Sequence, residues 1–199
     1  MIKNIVFDLG NVLLSFRPAE FFIKKKYPEA IRNTILSDIF GSSEWAMLDN
    51  GDITTQEAIE RIAAKSSLKR EEIALVFNLR SELMFPLDQN VRILPGLKKR
   101  GFKLYYLSNF PLDIFDDIKN GYFFFTHFTG GIISSEVKVS KPDIRIFRLI
   151  LEKYSLLPEE SLFIDDSEIN VKAAESAGMT GMTTYGSEDI SVSLEKLLK

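Results

Sequence analysis

Short apolar runs ending in turn-forming polar clusters recur along this chain, and they set its predicted architecture. Ile2–Phe7 is short, apolar and rich in β-branched residues, as a strand buried on both faces requires. It ends at Asp8-Leu9-Gly10-Asn11. From about Phe16 to Asp88 the apolar spacing turns helical. Ala19–Tyr27, Ala30–Phe40 and Leu68–Phe85 read as helices, and Thr54-Thr55-Gln56-Glu57 has the form of a capping box opening another. Asp49-Asn50-Gly51-Asp52 is a turn between helices. Strand and helix then alternate. The pattern predicts a helix over Val91–Arg100 and strands at Phe102–Leu107, Phe123–Phe128 and Gly131–Ile133. A helix over Leu112–Lys119 falls between the first two strands. Next come a helix over Asp143–Tyr154 with Pro142 near its first turn, and a strand at Ser161–Ile164. A helix over Ile169–Ala177, a strand at Met182–Tyr185 and a helix over Val192–Leu198 complete the chain.

Such alternation predicts an α/β fold, a doubly wound parallel sheet carrying an inserted helical segment. The predicted division is residues 1–15 and 89–199 for the α/β core and 16–88 for the insert. At roughly 100–200 residues per domain, a chain of 199 residues suits one domain with such an insert.

Composition narrows the chemistry. Lys plus Arg is 25 against 28 Asp plus Glu, a net charge of −3, so there is no electrostatic case for nucleic acid or an anionic membrane. No stretch approaches the roughly 18 apolar residues of a membrane span. Asp8 interrupts the only leader-like run, so a cytoplasmic location is expected. There is no cysteine and a single histidine, which excludes thiol nucleophiles and thiolate metal sites. Any metal would be held by oxygen, as Mg²⁺ or Mn²⁺ prefer. The pattern carries no information on oligomeric state.

Four polar features fall at predicted strand ends or a helix start: Asp8, Ser108-Asn109, Lys141 and Asp165-Asp166. Strand ends of a doubly wound sheet converge on one edge, where ligands bind. Carboxylates gathered there repel unless a cation lies between them. Mg²⁺ takes one or two carboxylates together with phosphate oxygens. Lys141 adds a point charge suited to phosphate, and Ser108-Asn109 add donors ahead of a helix. The set describes a site for phosphoryl transfer, with a small phosphorylated molecule as partner.

FDLGNVLL from Phe7, LSN at 107–109, SKPD at 140–143 and FIDDS at 163–167 resemble, in order and spacing, the four motifs of the haloacid dehalogenase-like hydrolases. The helical insert resembles that superfamily's cap. The Asp-Leu-Gly-Asn-Val form is similar to the branch holding hexose-1-phosphate phosphatases and the N-terminal phosphatase domain of soluble epoxide hydrolases. The resemblance implies a Rossmann-like core and a Mg²⁺-dependent phosphatase, with sugar phosphates as the substrate class. It implies Asp8 as nucleophile, and Asp8, the Gly10 carbonyl and Asp165 as Mg²⁺ ligands with Asp166 close by. Ser108 and Asn109 would bind phosphate, and Lys141 would neutralise both Asp8 and the phosphate.

One position departs from the family. The residue two beyond the nucleophile is usually an Asp that protonates the leaving group and activates water; here it is Gly10. General acid–base help is worth roughly 10²–10⁴-fold, so either turnover is slow or the acid comes from elsewhere, with Asp166 and Glu44 as candidates. Two other readings stay open. A 2-haloacid dehalogenase shares the Asp, Ser and Lys but lacks the adjacent acid pair. A non-catalytic protein binding a phospho-ligand or partner would explain Gly10. Trp45 packs the cap core or lines the pocket, and His127 reads as structural.

Overall fold

Five short strands make one wholly parallel sheet in the computed structural model, which describes residues 1–185 and 189–198. They are β1 (Asn4–Phe7), β2 (Lys103–Ser108), β3 (Gly130–Ile133), β4 (Ser161–Asp165) and β5 (Thr180–Thr183), in the spatial order β3-β2-β1-β4-β5. Phe7 stands opposite Tyr106 on β2 and Ile164 on β4. Successive side chains point to opposite faces, and both faces are covered. Ile5, Phe7, Tyr106 and Ile164 pack on one face. Val6, Tyr105, Leu107 and Phe163 pack on the other, under Ile146, Phe147 and Ile150 of the helix Ile144–Lys153. Fully burying each such side chain is worth about 1.5–3 kcal/mol, which is why β1 is apolar throughout its centre. Gly131 on β3 lets Tyr106 lie across it; a Cβ there would fall 2.2 Å from the ring.

Strand order reverses between β1 and β4, so the chain ends of those two strands flank the crevice where ligands bind in open α/β sheets. Asp8 follows β1, Ser108 ends β2 and Asp165 ends β4.

The insert between β1 and β2 is helical, at Pro18–Lys24, Glu29–Ile35, Ser43–Asp49, Thr55–Ala63, Arg70–Asn78 and Arg80–Leu83. Thr54 forms the anticipated capping box: its hydroxyl accepts from the Glu57 N–H at 3.2 Å, and Glu57 accepts from the Thr54 N–H at 2.7 Å. The apolar faces of these helices, including Phe22, Ile35, Ile59 and Phe77, merge with one face of the sheet into a single cluster. Among the described residues no helix is long and apolar enough to cross a membrane.

Several predicted elements differ in detail. The stretch Ala30–Phe40 closes in a wider π-type turn at Leu36–Phe40. The stretch Leu68–Phe85 breaks at Leu79. Val91–Arg100 splits into Asp88–Val91 and Leu94–Lys99, because Pro95 starts a new helix more readily than it continues one. Pro142 precedes the helix rather than sitting in its first turn; Asp143 caps it by accepting from the Arg145 N–H at 2.9 Å. Met182–Tyr185 shifts to Thr180–Thr183, leaving Tyr185 exposed.

Phe123–Phe128 is not a strand. Phe123–His127 is a 3₁₀ turn. A strand would send Phe124 and Phe125 to opposite faces. The turn instead stacks them 4.4 Å apart and buries both, with Phe125 edge-on to Tyr106 and Phe115, while Phe123 stays exposed.

Candidate active site

Asp8 leaves β1 with its backbone N–H still paired to the Ile164 carbonyl at 2.8 Å, so its side chain is fixed at the sheet edge. It is buried, and its Oδ1 lies 2.7 Å from Lys141 Nζ. The same ammonium donates to Asp165 Oδ2 at 2.6 Å. Burial pulls the Lys141 ammonium down, but Asp8 and Asp165 outweigh it and hold it above the ordinary lysine range. Burial pushes the Asp8 carboxyl up to about 6; Asp165 adds to this, while Lys141 and a hydrogen bond from Ser108 pull against it.

The structure brings Asp8, Gly10, Ser108, Asn109, Lys141, Asp165 and Asp166 together at this edge. Asp165 is fully buried and accepts from Ser167 N–H at 2.8 Å and from Asn170 Nδ2 at 3.1 Å. Asp166 accepts from Asn11 Nδ2 at 3.1 Å, and burial raises its carboxyl. Asn11 sits in the left-handed region, at φ 53°, which turns its side chain back toward Asp166 and lets its Oδ1 take the Phe16 N–H. The Asn109 side chain holds the Lys141 backbone. Its Nδ2 donates to the Lys141 carbonyl at 2.9 Å and its Oδ1 accepts from the Lys141 N–H at 2.8 Å. That reciprocal clamp sets where the lysine leaves the backbone.

Carboxylate oxygens of Asp8, Asp165 and Asp166 lie within 4.8 Å of one another. Three carboxylates against the Lys141 ammonium leave a formal −2 in a largely buried space. A hard divalent cation matches both the charge and the all-oxygen donors, so the residues present fit Mg²⁺.

Asp8, Gly10, Ser108, Asn109, Lys141 and Asn170 line one side of a cavity of about 140 Å³. Its other walls are largely apolar: Leu14, Phe16, Trp45, Met84 and Phe110. Trp45 therefore does both things considered for it. It is packed against Phe40 and Phe77, and it faces the cavity with Phe16 stacked 6.0 Å away.

Neither sequence-derived candidate for the missing acid reaches this cavity wall. Glu44 is bound to Lys65 at 2.6 Å, a contact that lowers its carboxyl. Asp166 faces a second, more open depression with Asn11 and Arg17. The carboxylate that lines the cavity besides Asp8 is Asp49, at the end of the helix Ser43–Asp49. Burial pushes it up to about 7, against the pull of Arg80 and a hydrogen bond from the Trp45 side chain. Sequence reasoning placed Asp49 only in a turn. Its spacing four residues after Trp45, on one helix face, is the feature that could have marked it.

The model of the haloacid dehalogenase-like hydrolases matches residues 2–178. The chain is 25% identical to the sesquiterpene phosphatase astK of Aspergillus oryzae, over 90% of this chain and 88% of that protein. It is also 25% identical to a phosphorylated carbohydrates phosphatase of Thermotoga maritima, over 89% of this chain and 82% of that one. Among solved structures, the HAD family enzyme BT-2542 of Bacteroides thetaiotaomicron, in complex with magnesium and inorganic phosphate, superposes with a TM-score of 0.76. That match has 25% identity and covers 96% of this chain and 98% of the other.

Proposed function

Because the chain belongs to the haloacid dehalogenase-like hydrolases, we propose that it hydrolyses small phosphomonoesters, with Asp8 as the nucleophile. The observation that carries this reading is Asp8 held 2.7 Å from Lys141 in a cavity that Ser108 also lines. Relatives named as phosphatases support it.

An oxygen of Asp8 attacks phosphorus as the bond to the leaving oxygen breaks, giving an aspartyl-phosphate that water then hydrolyses. Lys141 holds Asp8 in place and neutralises charge on the transferring group. Ser108 and the main chain at Asn109 orient its oxygens. Asp8, Asp165, the Gly10 carbonyl and, directly or through water, Asp166 would hold Mg²⁺. When bound, that ion supplies further positive charge to the phosphate oxygens. The formal −2 left by the side chains favours this over metal-free dehalogenation.

Residues 1–15 and 89–199 serve as the catalytic core and 16–88 as the cap that closes over it. The cavity is below the roughly 300–1,000 Å³ of drug-sized ligands, so the alcohol released is small or the cap opens to admit it. Sugar phosphates are the substrate class proposed, the rings of Phe16 and Trp45 offering flat faces to the sugar. The test is phosphate release from an aryl phosphate, a sugar-phosphate panel and an isoprenoid monophosphate, with Mg²⁺, with EDTA, and with Asp8→Asn. Release that needs both the metal and Asp8 is expected. Halide release from 2-haloacids in EDTA, without phosphatase activity, would overturn the reading.

A further inference from the structure

A Cβ built on Gly10 meets nothing nearer than Asp8 Oδ2, at 3.9 Å, and Gly10 has no left-handed backbone. Neither the space for a Cβ nor the backbone conformation demands glycine there, so the absence of the side chain usual at this position is not forced by the fold at that atom. Asp49 lines the same cavity.

Its backbone is pinned to the core. Ser134 Oγ donates to the Asp49 carbonyl, and Ser140 Oγ donates to Asn50 Oδ1 at 2.8 Å. Gly51 lies so close to Ser135 that a Cβ would fall 2.5 Å from that carbonyl oxygen. The Asp49 side chain takes a hydrogen bond from Trp45 and feels the charges of Arg80 and Asp8. Arg80 is itself buried and paired with Asp113 at 3.0 Å. Lys141, the remaining charge on the cavity wall, is occupied by Asp8 and Asp165.

We propose that Asp49, carried by the insert, is the general acid and base of this enzyme, doing from the cap what the family's Asp does from position 10. The inference rests on the phosphatase reading above. In the first half-reaction Asp8 forms the bond to phosphorus, the leaving-oxygen bond breaks, and that oxygen takes the proton of Asp49. In the second, Asp49 removes a proton from water. The water oxygen bonds to phosphorus, the Asp8–phosphorus bond breaks, and the Asp8 carboxylate and a protonated Asp49 are restored. A carboxyl pushed up to about 7 by burial can hold and release that proton near neutral pH.

The test is Asp49→Asn in the full chain with Mg²⁺, on a dinitrophenyl phosphate and on an alkyl phosphate that wild type hydrolyses. The dinitrophenolate leaving group needs no proton; the alkoxide does. The variant should lose about 10²–10⁴-fold in kcat/KM on the alkyl ester and less than about tenfold on the aryl ester. The aryl ester should also show a burst of about one dinitrophenolate per enzyme, because the base for the second step is gone. Adding Gly10→Asp to Asp49→Asn should recover at least about tenfold on the alkyl ester. Cooperative urea unfolding of each variant shows that it is folded. Equal loss on both esters without a burst overturns the proposal, as does no loss on either. If wild type releases no phosphate from any ester, the phosphatase reading fails and takes this inference with it. Leaving-group-independent loss in Asp49→Asn sinks the inference alone.

Discussion

Replacing Asp49 with Asn removes a charge while keeping the side-chain shape, and its effect on stability can be worked from burial. Burial pushes the Asp49 carboxyl from 3.8 up to about 7, despite Arg80 and Trp45. An acid whose folded-state pKa lies above its unfolded value binds its proton more tightly when folded. The stability this confers is complete below pH 3.8 and is lost as pH rises through about 7. At about 1.4 kcal/mol per unit, a shift of roughly three units costs at most about 4 kcal/mol at alkaline pH. Part of that loss falls below pH 5, and Asp49 keeps partial contact with solvent. Between about pH 5 and about pH 8.5 the expected change is therefore about 2 kcal/mol. Urea unfolding of wild type and Asp49→Asn at those two pH values, in EDTA and at fixed ionic strength, measures it. The variant should gain about 2 kcal/mol on wild type between the lower and the higher pH. A stability difference that does not change with pH would mean that the carboxylate is fully solvated when the protein is folded, and the burial argument would be wrong. A domain has only about 5–15 kcal/mol of net stability, so a cost of about 2 kcal/mol is a large share of it.

Other perturbations follow from the same geometry. Lys141→Met leaves Asp8 and Asp165 facing each other without their shared cation. It should destabilise the protein by about 3–5 kcal/mol at alkaline pH in EDTA, read by urea midpoint and slope. A loss below about 1 kcal/mol would show that the pair is dispensable to the fold. Mg²⁺ at about a hundred times its dissociation constant should add about 2.7 kcal/mol. For a chain of this size that raises the melting temperature by on the order of 5–10 °C. Asp165→Asn and Asp166→Asn should shrink that rise, and an undiminished rise in both would place the ion elsewhere. Gly51→Ala puts a Cβ against the Ser135 carbonyl at φ +75°, so it should cost about 1–3 kcal/mol and lower turnover by displacing Asp49. Unchanged turnover would mean that this contact does not set the position of the acid.

The core was legible because its strands are buried on both faces. Such strands must be apolar to their ends, so the first polar residue after each marks the sheet edge. That is how Asp8, Ser108 and Asp165 can be picked out as neighbours from positions far apart in the chain. Boundaries inside the insert were less legible, since Leu79 and the π-type turn at Leu36–Phe40 satisfy helical spacing while interrupting the helix. The aromatic run at 123–127 misleads for a related reason: consecutive rings fit a strand by propensity, yet tertiary packing rewards placing Phe124 and Phe125 on one side. Asp49 was hidden because its partners other than Trp45 are distant in sequence. Only the fold brings Arg80, Asp8 and the 134–140 segment around it.

Where the acid resides decides when it is present. Ser134, Ser135 and Ser140, which hold the loop at Asp49–Gly51, belong to the stretch that runs from the end of β3 to Lys141. One segment therefore positions both Lys141 and the loop at Asp49–Gly51. If the cap lifts, Asp8 and Lys141 stay together on the core, while Asp49 leaves with the insert. On the proposed mechanism an open enzyme would still receive a phosphate ester but would have no proton to give its leaving group. Chemistry would then be confined to the closed state, in which the apolar walls of Phe16, Trp45 and Met84 would keep stray water from Asp8. An Asp at position 10 would stay beside the nucleophile however the cap moved. On the proposed mechanism, glycine there gives up that constant supply, and the contacts at Ser134 and Ser140 would tie proton transfer to closure.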